Sequence, residues 1–205
     1  MTDKVDFKKT LDAYRATAGS FRVVDVPPTR YLMIDGHGDP NGPSFQRAIA
    51  ALYPVAYRLK FASKAQGRDY VVMPLEALWS ASDVAAFTSR RDKSQWHWTA
   101  LIMVPDWTTP VHVTSAVDAV AAGDAPSRLG DVRLETLDEG RCVQTLHLGA
   151  FDDEGPTLAR LHDEFIPAHG FAVAGRHHEI YLSDLRRVEP AKLRTILRQP
   201  VTLAG

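Results

Sequence analysis

Apolar positions along the chain follow two rhythms, one near 3.6 residues and one of two, and these alternate in blocks. Residues 4–17 place Val5, Phe7, Leu11 and Tyr14 at roughly helical spacing, and Gly19 marks a stop. "FRVVDVPPTRYLMIDG" then carries two β-branched or aromatic runs either side of "VPPT", which predicts a strand, a turn and a second strand. "HGDPNGP" (37–43) is a cluster of breakers and reads as a loop. From Ser44 the pattern turns helical, with Ser44 as the expected N-cap and Phe45, Ile49 and Leu52 as the buried stripe. Pro54 is expected to kink that helix or split it.

After "SKAQGRD", two further strand-like runs, 70–79 and 96–105, flank a polar connection containing "SRRDKSQ". "AVDAVAAG" predicts a short helix, and "DVRLETLDEGRCVQTLHLGAF" predicts a hairpin turning at Glu139-Gly140. A helix from Thr157, carrying Leu158, Leu161 and Phe165, ends near Gly170. "RHHEIYLSD" (176–184) is a strand, and "PAKLRTILRQPV" supplies a short helix and a last strand.

Strand, helix, strand, strand therefore occurs twice. Sliding the first half along the second puts Gly36, Gly42, Pro43, Arg47 and Pro54 on Gly149, Gly155, Pro156, Arg160 and Pro167, with Ser44 on Thr157. The pattern predicts one α+β domain over 1–205 built by internal duplication. A helical extension at 4–18 precedes a first module at about 20–105 and a second at about 130–203. Their antiparallel sheets pair about a pseudo-twofold axis and leave a ligand groove between the halves.

Composition narrows the function more than the fold. A formal net charge of −1 supplies no global field toward nucleic acid or an anionic membrane. Cys142 is the only cysteine, so an intrachain disulfide and a thiolate metal cluster are both excluded. The charged start "MTDKVDFKKTLDAYRA" lacks the apolar core of a secretory signal, which predicts a cytoplasmic protein.

Alternation on 176–184 puts Glu179 and Tyr181 on one face and Ile180 and Leu182 on the other. With the aliphatic pair under a helix, the acid and the phenol are expected to face the groove. Tyr53, Tyr57 and Phe61 recur every fourth position, Trp79 ends one strand, and Trp96 and Trp98 share a face at the start of the next. A stripe at helical spacing also fills cores, and for Tyr53 both readings stay open. Trp79, Trp98 and Tyr181 are assigned to the groove. Adjacent His177 and His178 point to opposite faces, and His162 and His169 match no zinc spacing, so neither metal nor cofactor is expected. No phosphate loop and no serine-hydrolase elbow is present.

"KFASKAQGRDYVVMPLEALW", "WHWTALIMVP", "RCVQTLHLGAFDDE" and "GRHHEIYLSDLRRVEPAKLRTILRQPV" resemble the GyrI-like small-molecule-binding family, from about Lys8 to Val201. "LKF…DY…MPLEALW" and "HHEIYLSD" resemble its longer subgroup, which includes cyclopropanoid cyclopropyl hydrolases. The resemblance implies tandem SHS2-like modules, an aromatic cage, and binding of amphipathic or cationic aromatic compounds. It further implies xenobiotic detoxification by opening of the cyclopropane ring; multidrug binding or sequestration without turnover stays open beside it. No helix-turn-helix domain fits before residue 20, so the chain resembles the stand-alone members. The Glu-x-Tyr strand pattern carries the family's groove acid onto Glu179. Tyr181 and a second acid, Glu76, join it as catalytic candidates; Trp79, Trp98, Trp96, Tyr53, Tyr57, Phe61 and His178 are the ligand candidates. The bland alternative for Glu179 is an ion pair with Arg176 or Arg186. The expected partner is an aromatic or cationic small molecule, neither nucleic acid nor membrane, and a homodimer is left open.

Overall fold

The computed structural model describes residues 4–81, 92–184 and 187–205. Its elements are α1 (Phe7–Thr10), β1 (Arg22–Val26), β2 (Thr29–His37), α2 (Pro43–Ala65), β3 (Glu76–Ala81), β4 (Trp96–Met103), α3 (Pro110–Ala121), β5 (Arg133–Leu137), β6 (Gly140–Leu148), α4 (Gly155–Ala159), α5 (Ile166–Ala168), β7 (Phe171–Val173), β8 (His177–Tyr181) and β9 (Arg194–Leu203). A π-turn, Arg160–Phe165, makes α4 and α5 one continuous helix.

The strands form one antiparallel sheet in the order β1-β6-β9-β8-β3-β4-β2-β5, with β7 added to β9. The triplet β2-β4-β3 mirrors β6-β9-β8, and the two meet where β3 pairs β8, with Ala77 opposite Glu179 and Trp79 opposite His177. The duplication seen in the residues thus has a matching order in space.

The expected hairpin at Glu139-Gly140 is not formed. β5 pairs β2 at one end of the sheet, whereas β6 pairs β1 and β9 at the other. Only Asp138 and Glu139 connect them, as Pro27 and Pro28 connect β1 to β2. Three Cα steps reach at most roughly 11 Å. The sheet is therefore curled until its two ends approach, and Glu139 lies at the mouth of the curl.

Both long helices lie on one face. Phe45 of α2 packs on the Trp79 and Trp98 rings, and Leu161 and Ile166 cluster with Val143 and Val201. The concave face is closed instead by the N-terminal segment, whose Tyr14 hydroxyl donates to Glu76 Oε1 at 2.6 Å.

The helices start on Gly-Pro rather than on a hydroxyl. Gly42 is the N-cap of α2 with Pro43 in the first turn, so Ser44 is already helical; Thr157 likewise lies inside α4 behind Pro156. Pro54 neither splits nor ends α2, which runs on through it. Buried Leu52, Val55, Ala56 and Leu59 press that helix onto the sheet and outweigh a proline cost of about 3 kcal/mol. Pro167 follows the π-turn, the place where its ring would otherwise meet the carbonyl of the preceding turn.

Candidate active site

β8 has two faces with different chemistry. His177, Glu179 and Tyr181 share the helix-bearing face with Ala77 and Trp79 of β3. His178 and Ile180 point into the curl. The acid and phenol thus face the same side as the helices, not the side away from them.

On the helix side the Tyr181 hydroxyl donates to Glu179 Oε2 at 2.7 Å. The Glu179 side chain is 14% accessible. Burial pushes its carboxyl up to about 7, against the pull of the Tyr181 hydroxyl, the Trp79 indole N–H and the charge on His178. The Trp79 Nε1 is buried without a hydrogen bond of good geometry, and it is Glu179 and Tyr181 that it approaches. Tyr181 stays protonated, since burial and then the Glu179 charge hold its pKa well above the usual phenol range. Burial drives His177 down to about 3, so that ring is neutral. The result is a carboxyl balanced between its two forms near neutrality, walled by rings and next to a fixed donor.

The walls come from both halves. Trp96 meets Trp79 edge-on at 5.6 Å, and Phe151 meets Tyr181 edge-on at 5.3 Å. Above them Lys93 pairs with Asp152 at 3.3 Å. An open depression of about 710 Å³ beside that pair is lined by Asp39, Asp92, Lys93, Ser94 and Asp152. Its walls do not include Glu179, and three of its five lining residues are acids.

The concave face holds a different cluster. His178 Nε2 lies 3.0 Å from Glu76 Oε2 and its Nδ1 lies 3.0 Å from Glu139 Oε1. With an acidic oxygen at each nitrogen, the ring is an imidazolium. Burial opposes that charge, but Glu139 and Glu76 more than offset it and raise His178 to about 8. Arg198 completes the cluster, binding Glu139 Oε2 at 2.8 Å, Gln144 Oε1 at 3.0 Å and the Ala13 carbonyl. Glu139 is drawn down to about 2 by His178 and Arg198 in spite of its burial.

The expected site residues therefore separate. Glu179, Tyr181, Trp79 and Trp96 come together. Glu76 and His178, placed with them from the sequence, sit on the opposite face, because each is one position out of phase with Glu179 across the β3–β8 register. Trp98 shares the Glu179 face but is core, 1% exposed beneath Phe45. Tyr53, Tyr57 and Phe61 do form a stripe along α2, with ring centroids 6.4 Å apart at each step; Tyr53 packs against the core, while Tyr57 and Phe61 are exposed. Arg176 binds Thr99 Oγ1 at 2.7 Å on the concave side rather than Glu179, and Arg186 lies outside the described residues. Phe151 and His177 were missed as neighbours of the acid. Phase could have found His177, two residues before Glu179; nothing local marks Phe151. Cys142 is buried, and burial raises its thiol to about 12, in keeping with an inert core residue. Among the described residues no helix is long and apolar enough to cross a membrane.

A family model described as the GyrI-like small molecule binding domain matches residues 105–201. The whole chain is similar to an uncharacterized conserved protein from Listeria innocua, at 34% identity over 97% of this chain and 100% of the other, with a TM-score of 0.89. It is similar to a hydrolase from the same organism, at 35% identity over 98% and 100% of the two chains and a TM-score of 0.86. The EcmrR C-terminal domain, at 11% identity, 90% and 98% coverage and a TM-score of 0.56, shares the fold alone. No curated protein matches the chain.

Proposed function

The chain belongs to the GyrI-like small-molecule-binding family, and we propose that it takes flat aromatic or cationic compounds into the groove over Glu179 and hydrolyses cyclopropanoid alkylating agents there. The observation that carries this reading is the buried Glu179 carboxyl, raised to about 7 and bonded to Tyr181 between aromatic walls. A base whose pKa lies near the working pH combines availability with proton affinity. The similarity to hydrolases from Listeria innocua at 34–35% identity supports a catalytic rather than a purely binding role.

In the proposed reaction Glu179 takes a proton from water as the water oxygen bonds to a cyclopropane carbon. The ring C–C bond breaks, and its electron pair runs through the conjugated dienone to the carbonyl oxygen, which takes up a proton to become a phenol. Tyr181, held protonated, donates a hydrogen bond to that oxygen as it gains charge. Trp79, Trp96 and Phe151 hold the flat substrate in line with the attacking water. Glu76 has no part in this step, since Tyr14 and His178 engage it on the far face.

Mass spectrometry of a cyclopropanoid alkylator incubated with wild type and with Glu179→Gln tests the proposal. Addition of one water by wild type, lost in the variant, is the expected result. Binding with no mass change by either protein would move the function to sequestration.

A further inference from the structure

The two oxygens of Glu179 have different neighbours. Oε2 takes the Tyr181 hydrogen bond at 2.7 Å, while Oε1 faces His177 Nε2 at 3.8 Å. His177 is itself held from behind. The π-turn Arg160–Phe165 adds a residue to the helix and re-aims its side chains, a device frequent at functional sites. It brings the His162 ring edge-on to His177 at 6.0 Å between centroids.

The hydrogen positions in this brace follow from Gln199. Its amide nitrogen donates to the Ala174 carbonyl at 2.7 Å and to the Pro200 carbonyl at 3.2 Å. With both hydrogens engaged, only its oxygen is presented to His162 Nε2, 3.2 Å away, so His162 carries its hydrogen on Nε2. Gln199 follows Arg198, the register partner of His178, and therefore stands beside His177 with no hydrogen left to donate to it. His177, neutral, has one N–H of its own, and two acceptors compete for it: the Gln199 oxygen and the Glu179 carboxylate. An ionised carboxylate is the stronger acceptor and draws that hydrogen to Nε2.

We propose that His177 is a positioning residue for Glu179: braced by His162 and Gln199, its Nε2–H serves the carboxyl oxygen that Tyr181 leaves open and fixes how the acid meets a ligand. At 3.8 Å the pair is an electrostatic contact, of the kind that tightens into a hydrogen bond when a ligand seats. The proposal rests on Glu179 being the groove acid, but not on turnover.

Several other groups face or influence this acid. They are Tyr181 and, through the strand, His178 on β8; the Trp79 N–H on β3; Gln199 on β9; Glu154, through Tyr181, at the start of α4; and His162 on the π-turn. Of these, Tyr181 and Trp79 already favour the ionised form, and His177 supplies a third donor from a separate direction.

The test is the titration of Glu179 in ligand-free protein, followed by the infrared band of its protonated carboxyl and identified by its loss in Glu179→Gln. Wild type is expected to titrate near 7. His177→Phe, which removes the N–H and keeps a ring, should weaken Glu179 as an acid by about two- to fivefold, less than a full hydrogen bond would because the ligand-free contact is electrostatic. His177→Gln, which restores a donor, should return the midpoint toward wild type. His162→Phe, which leaves His177 but removes its brace, should shift the midpoint in the same direction by less, and serves if His177→Phe does not fold. An unmoved midpoint in the folded phenylalanine variants overturns the proposal. So does an equal shift in His177→Gln and His177→Phe, which would make the role one of packing. Absence of turnover in wild type would overturn the proposed reaction while leaving this assignment intact.

Discussion

Replacing Glu179 by glutamine should stabilise the folded chain, and only at neutral and alkaline pH. The carboxyl's ordinary value of 4.5 is raised to about 7 by burial. The native state therefore binds this proton more tightly than the unfolded chain does. That favourable contribution is complete below about pH 4.5 and is lost as the pH rises through about 7. Above 7, wild type carries an ionised carboxylate in a largely dry site, at a cost of about 3 kcal/mol that follows from the rise from 4.5 to about 7. The side chain keeps 14% accessibility, so this is a ceiling. Glutamine keeps the shape and an acceptor for Tyr181 and removes the charge. Urea unfolding of both proteins at pH 4 and pH 8 gives the comparison. Near-equal stability at pH 4 and a variant more stable by ~1–3 kcal/mol at pH 8 is expected. A pH-independent difference, or a less stable variant at pH 8, would show that burial does not hold the acid's proton.

The concave cluster predicts an alkaline loss. His178 is raised from 6.5 to about 8, so its stabilisation is whole below about 6.5 and disappears as pH rises through 8, about 2 kcal/mol in all. The larger displacement of Glu139 also contains Arg198 and describes the same contacts from the other side, so the two are not added. Unfolding measured between pH 6.5 and 9 should show the loss in wild type and a flatter profile in His178→Asn. Gly36→Ala is expected to lower stability by about 1–3 kcal/mol, because a Cβ there would come within 2.2 Å of the Trp98 ring; thermal unfolding reports it, and an unchanged midpoint would mean that Trp98 can move aside.

Period and phase alone determined that there are two strand-helix-strand-strand runs, and that Glu179 and Tyr181 share a strand face. Both follow from local geometry: successive strand side chains alternate whatever the strand pairs with. Pairing does not follow. Glu139-Gly140 has a hairpin's local chemistry, yet β5 and β6 go to opposite ends of the sheet, each pairing with a strand of the other half, β2 and β1, instead of with its neighbour in sequence. That exchange curls the sheet and carries Glu139 to His178 and Arg198, while the β3–β8 register puts Glu76 behind Glu179 instead of beside it. In the same way the sequence marks Trp98 as large and apolar, but only a glycine across the β2–β4 register and a phenylalanine on α2 decide that it is core and not cage. Which residues can do chemistry was local information; which of them meet depended on strand register, and register is settled by the burial of the whole sheet.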